Sequence, residues 1–286
     1  MTRTRRRIVT WFIVVISIYA VYCGLMYFFQ TALIFPASFA GPAGNALPTP
    51  DTRVIELPTD EGTTTAWLIP SASASAESPA PLAVFFHGNA ELIDHQAAIV
   101  ALYRRLGASV LMVEYRGYGH SDGTPAQKPL VDDAVSVIEQ VIEDKTIDAG
   151  RLVLHGRSIG GGIATQVALE IRPVALVVES TTTSVAGMAW RYGVPPFLVK
   201  SPLNNRAAFE RLDLPILILH GRDDEIFPLA QAEALQRAGR DATLVTFNAS
   251  HNTLPSGAEI ERYERAIREH LIDAGAIADD APPSND

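Results

Sequence analysis

The chain has 286 residues, of which 48% are hydrophobic and 19% charged, enough for one sizeable globular core and an appendage. Its formal net charge of −9 argues against a basic surface for nucleic acid, so we expect no nucleic-acid partner. The single cysteine, Cys23, excludes a disulfide within the chain. The seven histidines show no metal-ligand spacing, so we expect no metal, and the chemistry inferred below implies no cofactor.

The first predicted element is a membrane-spanning helix. Residues 8–29 carry no charge and follow the arginines within residues 3–7. At 1.5 Å per residue this run spans about 33 Å, enough for a bilayer core. The arginines should stay cytoplasmic, which places the rest of the chain on the non-cytoplasmic side, the periplasm in a bacterium. A cleaved signal peptide is the alternative, with Ser38-Phe39-Ala40 as its cleavage site.

Composition divides the chain into four parts. We expect the arginines and the membrane helix in residues 1–30 and a membrane-proximal linker in 31–52, where Gly, Pro and Ala are frequent. One folded domain should cover 53–273. Residues 274–286 are predicted to be a disordered acidic tail.

Within the folded part, apolar strand-like runs alternate with helical patterns. This alternation predicts an α/β fold with a mostly parallel sheet, helices on both faces and an antiparallel start. The predicted strands are 53–57, 64–69, 82–86, 109–113, 151–154, 174–178, 216–219 and 242–247. The predicted helices are 92–106, 130–144, 159–171, 230–237 and 258–273.

A candidate nucleophile lies between a predicted strand and a predicted helix. Gly156-Arg157-Ser158-Ile159-Gly160 reads G-x-S-x-G, which is typical of a sharp, strained turn that exposes the serine hydroxyl. The helix N-terminus beneath this serine would stabilise developing negative charge.

Two other loops provide a candidate acid and a candidate base. Strand 216–219 is followed by Asp223 and Asp224, and strand 242–247 is followed by His251. The chain order Ser158, Asp, His251 is that of the α/β-hydrolase triad. The order itself leaves Asp223 and Asp224 as alternatives.

The turn after strand 82–86 is the candidate oxyanion hole. It reads His87-Gly88-Asn89-Ala90, and a backbone N–H on this turn should complement the N–H of Ile159. We expect His87 to have a structural role, because it precedes Ser158 in the chain.

Three motifs resemble those of the Bem46-like α/β-hydrolases, which are close to the serine aminopeptidase-type and ABHD-type acyl hydrolases. They are residues 85–90 (FFHGNA), 114–123 (EYRGYGHSDG) and 156–161 (GRSIGG), and residues 29–36 (FQTALIFP) also fit. The resemblance covers roughly residues 28–270. It implies an α/β-hydrolase fold, a catalytic set of Ser158, Asp224 and His251, and oxyanion donors at Asn89 and Ile159. Asp224 is favoured because the acid in this family usually lies four residues after the histidine of the H-G pair.

The predicted cap is short, about residues 181–211. Four of its apolar side chains are candidates for an acyl pocket, although an apolar cluster there is also compatible with core packing: Trp190, Tyr192, Phe197 and Leu198. So short an insertion leaves little protein for a long tunnel, so we expect acyl groups of short to medium length.

These observations favour a membrane-anchored serine hydrolase that cleaves esters or thioesters of a small-molecule or lipid-like acyl substrate. An aminopeptidase or amidase is the alternative within the fold, and it would need an acidic pocket for a free amine. Glu91, Asp94 and Glu179 are available for such a pocket. A non-catalytic, membrane-tethered binding protein is a further alternative, which the intact Ser, Asp and His set disfavours.

Overall fold

An eight-stranded sheet organises the fold in the computed structural model, which describes residues 3–44, 46–255 and 257–279. The strand order is β1-β2-β4-β3-β5-β6-β7-β8. β1 pairs with β2 and β2 with β4 in antiparallel fashion, and the remaining neighbours are parallel. The strands are β1 (Arg53–Thr59), β2 (Gly62–Ile69), β3 (Ala80–Phe86), β4 (Ser109–Val113), β5 (Ile147–Arg157), β6 (Ala175–Glu179), β7 (Ile216–Gly221) and β8 (Ala242–Phe247).

Helices cover both faces of this sheet. They are α1 (Arg3–Ile34), α2 (Ala97–Arg105), α3 (Gln127–Val141), α4 (Ile159–Ile171), α5 (Val185–Ala189), α6 (Asn205–Phe209), α7 (Ala230–Ala238) and α8 (Ile260–Asp273). α3, α4 and α7 share one apolar core with one face of the sheet, and α2 and α8 share a second core with the other face. Because both faces are covered, the central strands β3, β4 and β6 are buried along their whole length, as apolar parallel strands require.

All eight predicted strands are present, and the predicted α/β class and antiparallel start are confirmed. The largest difference among the helices concerns residues 92–106, where a 3₁₀ turn, Ile93–His95, precedes α2. In the predicted cap, α6 belongs to the main body, because Phe209 and Leu203 are buried in the core beside α4. The cap proper is therefore shorter than residues 181–211.

The N-terminal helix is longer than its uncharged stretch. α1 has 32 residues, and its most apolar window has a mean hydropathy of 2.2. It is long and apolar enough to cross a membrane, a criterion that an N-terminal signal sequence also meets.

The predicted membrane-proximal linker, residues 31–52, is in part packed against the domain. α1 continues to Ile34, and the side chains of Phe35 and Ala40 are buried in the core shared with α3 and α4. Burial of these apolar side chains attaches the segment to the domain.

Part of the predicted disordered tail, residues 274–286, is packed against the domain. Ala276 and Ile277 are buried against the core on the α8 side of the sheet, because both side chains are apolar and α8 ends beside them. The remainder of that prediction, residues 280–286, lies outside the described residues.

Candidate active site

Ser158 lies on a strained turn between β5 and α4. Its φ of 53° and ψ of −117° place a non-glycine residue in a costly backbone conformation. Three hydrogen bonds hold this turn: Ser158 N–H donates to the Glu179 carbonyl at 2.8 Å, and the Ser158 carbonyl accepts from Gly161 N–H at 3.1 Å and from the Thr181 hydroxyl at 2.8 Å. The neighbouring strand β6 therefore fixes the serine that the motif predicted.

Two glycines allow the strand, the turn and the helix to approach one another. A Cβ atom at Gly156 would overlap the Gly160 carbonyl, and a Cβ atom at Gly160 would overlap the carbonyls of Phe86 and His87 at the end of β3. The two flanking glycines of G-x-S-x-G are thus required by backbone contacts, and the second sets the distance between Ser158 and the turn after β3.

A chain of two hydrogen bonds joins Ser158, His251 and Asp224. Ser158 Oγ lies 3.0 Å from His251 Nε2, and His251 Nδ1 lies 2.8 Å from Asp224 Oδ2. Because a carboxylate can only accept, Nδ1 carries the proton and Nε2 is left to accept the serine proton. His251 and Asp224 are both buried, which strengthens these interactions.

Asp224 is held by the start of its own loop. Its Oδ1 accepts backbone N–H groups of Ile226 at 2.9 Å and Phe227 at 2.7 Å. Burial alone would raise the pKa of Asp224, but the hydrogen bonds from His251 and Phe227 outweigh it and hold that pKa below its ordinary value. The adjacent Asp223 is exposed to solvent. The structure therefore brings Asp224, and not Asp223, to His251.

His220 was not considered as a site residue in the sequence analysis. Its Nε2 donates to the Phe227 carbonyl at 2.8 Å and lies 3.6 Å from Asp224 Oδ2. Burial lowers the pKa of His220, which favours the neutral ring beneath the Asp224 loop. The H-G pair that ends β7 is the sequence signal for this position.

The candidate oxyanion donors lie on the two backbone segments that Gly160 brings together. Asn89 follows the end of β3 and Ile159 begins α4, and both border the same cavity. Within residues 3–44, 46–255 and 257–279, neither backbone N–H donates to another protein group. Both N–H groups are therefore free to bind a substrate oxygen.

A buried ion pair supports the turn that carries Asn89. His87 Nε2 lies 2.8 Å from Glu114 Oε1, and His87 Nδ1 donates to the Gly88 carbonyl at 2.9 Å. Burial would lower the pKa of His87, but the Glu114 carboxylate and the Gly88 carbonyl raise it above its ordinary value. The His87 ring also stacks on Tyr115, with centroids 4.0 Å apart. His87 thus has the structural role expected from the sequence, and Glu114 is a partner that the sequence did not indicate.

The three carboxylates considered for binding an amine are engaged inside the protein. Arg157 lies 3.2 Å from Glu91 Oε1 and 3.3 Å from Glu179 Oε1, and the Tyr263 hydroxyl donates to Glu179 at 2.7 Å. Asp94 accepts the Gly44 N–H at 2.8 Å. None of the three lines the cavity that borders Asn89 and Ile159.

That cavity has a volume of about 490 Å³, within the usual range for small-molecule sites. Among the described residues, its lining has no charged side chain. Of the four candidate pocket residues, Tyr192 and Leu198 line it, whereas Trp190 and Phe197 are 61% and 84% exposed and lie outside the lining. The sequence analysis missed one whole wall, because six lining residues come from α1: Tyr22, Met26, Tyr27, Gln30, Leu33 and Ile34. Another cavity of about 500 Å³, between α3 and α4, is lined by Lys128, Asp132 and Glu170 among others and by none of Ser158, Asp224 and His251.

Comparison with known proteins agrees with this geometry. The family model described as serine aminopeptidase, S33, matches residues 77–207. Protein bem46 of Schizosaccharomyces pombe is 31% identical over 222 residues, which cover 73% of this chain and 74% of bem46. The chain belongs to the Bem46-like α/β-hydrolase family.

Solved structures show the same fold at lower sequence identity. The Pyrococcus furiosus esterase Pf2001 superposes with a TM-score of 0.66 at 16% identity, covering 81% of this chain and 96% of the esterase. Est1E of Butyrivibrio proteoclasticus, solved with ferulic acid, gives a TM-score of 0.64 at 19% identity and covers 78% of this chain and 99% of Est1E. The family and the fold agree, and the protein has an α/β-hydrolase fold.

The contact at Gly160 generates a stability prediction. Gly160→Ala should lower the melting temperature and abolish activity, because the new methyl group would overlap two backbone carbonyls that cannot rotate away. The substitution should lower the free energy of unfolding by about 1–3 kcal/mol or more. Gly187→Ala in α5 is the matched control, since its nearest neighbour would be Ser184 Cβ at an ordinary 3.6 Å. Equal melting temperatures for the two variants in thermal unfolding would contradict the close backbone contact at Gly160.

The pair of His87 and Glu114 generates a pH-dependent prediction. Because the folded-state pKa of His87 is raised, its stabilising contribution is complete below about pH 6.5 and is lost as pH rises through the folded-state pKa. Glu114→Gln should therefore lower the unfolding free energy by about 3–5 kcal/mol at acidic pH and by less at alkaline pH.

Urea unfolding of the detergent-solubilised protein at several pH values measures this difference. The control is Asp132→Asn, which removes an exposed partner of Lys128. It should lower the free energy of unfolding by at most about 1 kcal/mol, and this loss should not fall with rising pH. A Glu114→Gln deficit that grows with rising pH would exclude a protonated His87.

Proposed function

We propose that this protein is a membrane-anchored serine hydrolase that cleaves carboxylic esters or thioesters through an acyl-enzyme. The observation that carries the proposal is the hydrogen-bonded chain Ser158–His251–Asp224, with contacts of 3.0 and 2.8 Å. It ends beside an apolar cavity and the N–H groups of Asn89 and Ile159, which donate to no other group in the part of the chain that the structure describes.

The proposed reaction has two steps. Ser158 Oγ attacks the acyl carbon while His251 Nε2 takes its proton, and the N–H groups of Asn89 and Ile159 stabilise the resulting oxyanion. The tetrahedral intermediate collapses as His251 protonates the leaving alcohol or thiol. Water, deprotonated by His251, then attacks the acyl-enzyme and releases the acid. Asp224 holds the His251 tautomer and stabilises the imidazolium.

The lining of the cavity favours an ester over a peptide. A substrate with a free amine needs a carboxylate near the acyl group, and Glu91, Asp94 and Glu179 are engaged elsewhere. The apolar lining instead suits a neutral acyl chain. An aminopeptidase remains the second candidate, because the matching family model is described by that activity.

We further propose that α1 is retained as the anchor, with the catalytic domain on the non-cytoplasmic side. The arginines before the uncharged stretch support this orientation. Burial of Phe35 and Ala40 in the core argues for retention, since cleavage after Ala40 would remove both side chains from the core.

The nucleophile is tested by Ser158→Ala. The variant should lose fluorophosphonate labelling and hydrolysis of p-nitrophenyl butyrate, with kcat falling by several orders of magnitude, on the order of 10⁶ in a well-studied serine protease. Ser136→Ala, on the surface of α3, should behave as wild type. Retained labelling in Ser158→Ala would refute the assignment, and faster cleavage of aminoacyl p-nitroanilides than of any ester would favour the aminopeptidase.

The triad acid is tested by two neighbouring substitutions. Asp224→Asn should lower kcat about 10⁴-fold, because the amide would favour the wrong His251 tautomer. Asp223→Asn should have little effect, since Asp223 is exposed and its backbone N–H bond to Ala249 is unchanged. Steady-state kinetics on one ester compares kcat of the two variants. A larger fall in kcat for Asp223→Asn would assign the triad acid to Asp223 instead.

A further inference from the structure

The membrane helix α1 and the cap enclose the same cavity. Met26 and Leu33 of α1 lie on one side, and Met188 and Val194 of the cap region lie on the other. The cavity reaches Ile159, beside the Ser158 nucleophile. An acyl group bound at Ser158 would therefore extend between α1 and the cap.

Two tyrosines hold the middle of α1 against the cap. The Tyr19 hydroxyl donates to the Gly193 carbonyl at 2.8 Å, and the Tyr22 hydroxyl donates to the Tyr192 carbonyl at 2.5 Å. Among the described residues no other backbone N–H donates to these two cap carbonyls, and an apolar surrounding would leave them unsatisfied without the tyrosines.

A glutamine holds the last part of α1. The buried Gln30 side chain donates to the Leu198 carbonyl at 3.0 Å and accepts the Lys200 N–H at 2.7 Å. The Lys200 ammonium lies 4.2 Å from the centroid of the Tyr27 ring. α1 is thus bonded to the cap over its second half.

The position of these contacts along α1 sets the depth of the cap. Tyr19 is 11 residues beyond Ile8, about 17 Å along the helix. With the arginines at the inner boundary of a hydrocarbon layer about 30 Å thick, the cap residues bonded to Tyr19 and Tyr22 lie within that layer. Gln30 lies about 33 Å beyond Ile8, at the outer boundary, where the charge of Lys200 can reach the lipid headgroups.

The outer surface of the cap suits this depth. Trp190, Tyr192 and Phe197, which fall within one short stretch of the cap, are 61%, 66% and 84% exposed. Large apolar side chains exposed on one segment suit a surface that meets a membrane or a partner. The cap also carries an exposed cation, Arg191, whose guanidinium donates to the Ile226 carbonyl at 3.2 Å.

We propose that α1 is a wall of the substrate cavity, that the cap lies in the outer leaflet, and that the substrate is a bilayer-resident ester whose acyl chain enters this cavity from the lipid. The proposal rests on the proposed serine hydrolase function and specifies its substrate class. The cap is too short to enclose an acyl pocket by itself. In this proposal α1 forms the second wall of that pocket.

The wall is tested in the full-length protein, reconstituted in phosphatidylcholine nanodiscs. Met26→Trp fills the cavity from α1, and Leu25→Trp places the same side chain on the exposed, non-lining side of the helix. The measurement is kcat/KM for 4-methylumbelliferyl esters from acetyl to palmitoyl. In wild type it should rise about fourfold per methylene until the cavity is full.

Met26→Trp should reach its optimum at a shorter chain, with the ratio of octanoyl to butyryl hydrolysis at least about tenfold below wild type. Leu25→Trp should keep the wild-type profile. Identical profiles for the two variants would overturn the role of α1. Met26→Phe replaces Met26→Trp if the latter is not recovered folded, as judged by fluorophosphonate labelling. Absence of both ester hydrolysis and labelling in wild type would instead refute the proposed hydrolase itself.

The depth of the cap is tested separately from activity. An environment-sensitive fluorophore is attached at Phe197→Cys, with Asp132→Cys on α3 as the control, both in a Cys23→Ser background. The Phe197→Cys label should emit at shorter wavelength than the control and be quenched by lipids with a spin label on the acyl chain. Emission and quenching equal to those of the control would place the cap outside the bilayer and overturn entry from the lipid.

Discussion

The backbone contact between α4 and the end of β3 is the constraint on which the active site depends. Gly160 rests against the carbonyls of Phe86 and His87, a distance that no side chain at this position allows. This contact brings the first N–H of α4 next to the turn that carries Asn89. It also holds the strained Ser158 between them, so one close approach positions the candidate nucleophile and both candidate oxyanion donors.

Buried charges hold the remaining parts of the site. Glu114 pairs with His87 under the turn of Asn89, and Glu179 pairs with Arg157, the residue before Ser158. Burial would raise the pKa of Glu179, but His155, Arg157 and Tyr263 keep it below the ordinary value. Such pairs add little net stability, yet losing one partner leaves a buried charge uncompensated. They therefore fix geometry at positions where a small displacement would impair catalysis.

In the proposed arrangement, the attachment of α1 to the cap would link the location of the protein to its choice of substrate. A tether serves only to keep an enzyme near a membrane, whereas α1 also contributes side chains to the cavity beside Ile159. The apolar outer surface of the cap and the hydrogen bonds of Tyr19 and Tyr22 fit the same arrangement. A protein built in this way would meet its ester in the lipid phase rather than in water.

Local sequence determined the strands, the turn that carries the candidate nucleophile and the order of the loops that carry the candidate triad, because apolar periodicity and the G-x-S-x-G motif depend on neighbouring residues. Tertiary structure decided what depends on distant parts of the chain. The choice of Asp224 over Asp223 depended on the contact of Asp224 with His251, which lies 27 positions later in the chain. Glu114 was identified by its contact with His87, and the burial of Phe35 showed that part of the predicted linker packs against the domain. The wall of the cavity formed by α1 had no local signal, because an apolar helix in sequence reads the same whether it contacts lipid or protein.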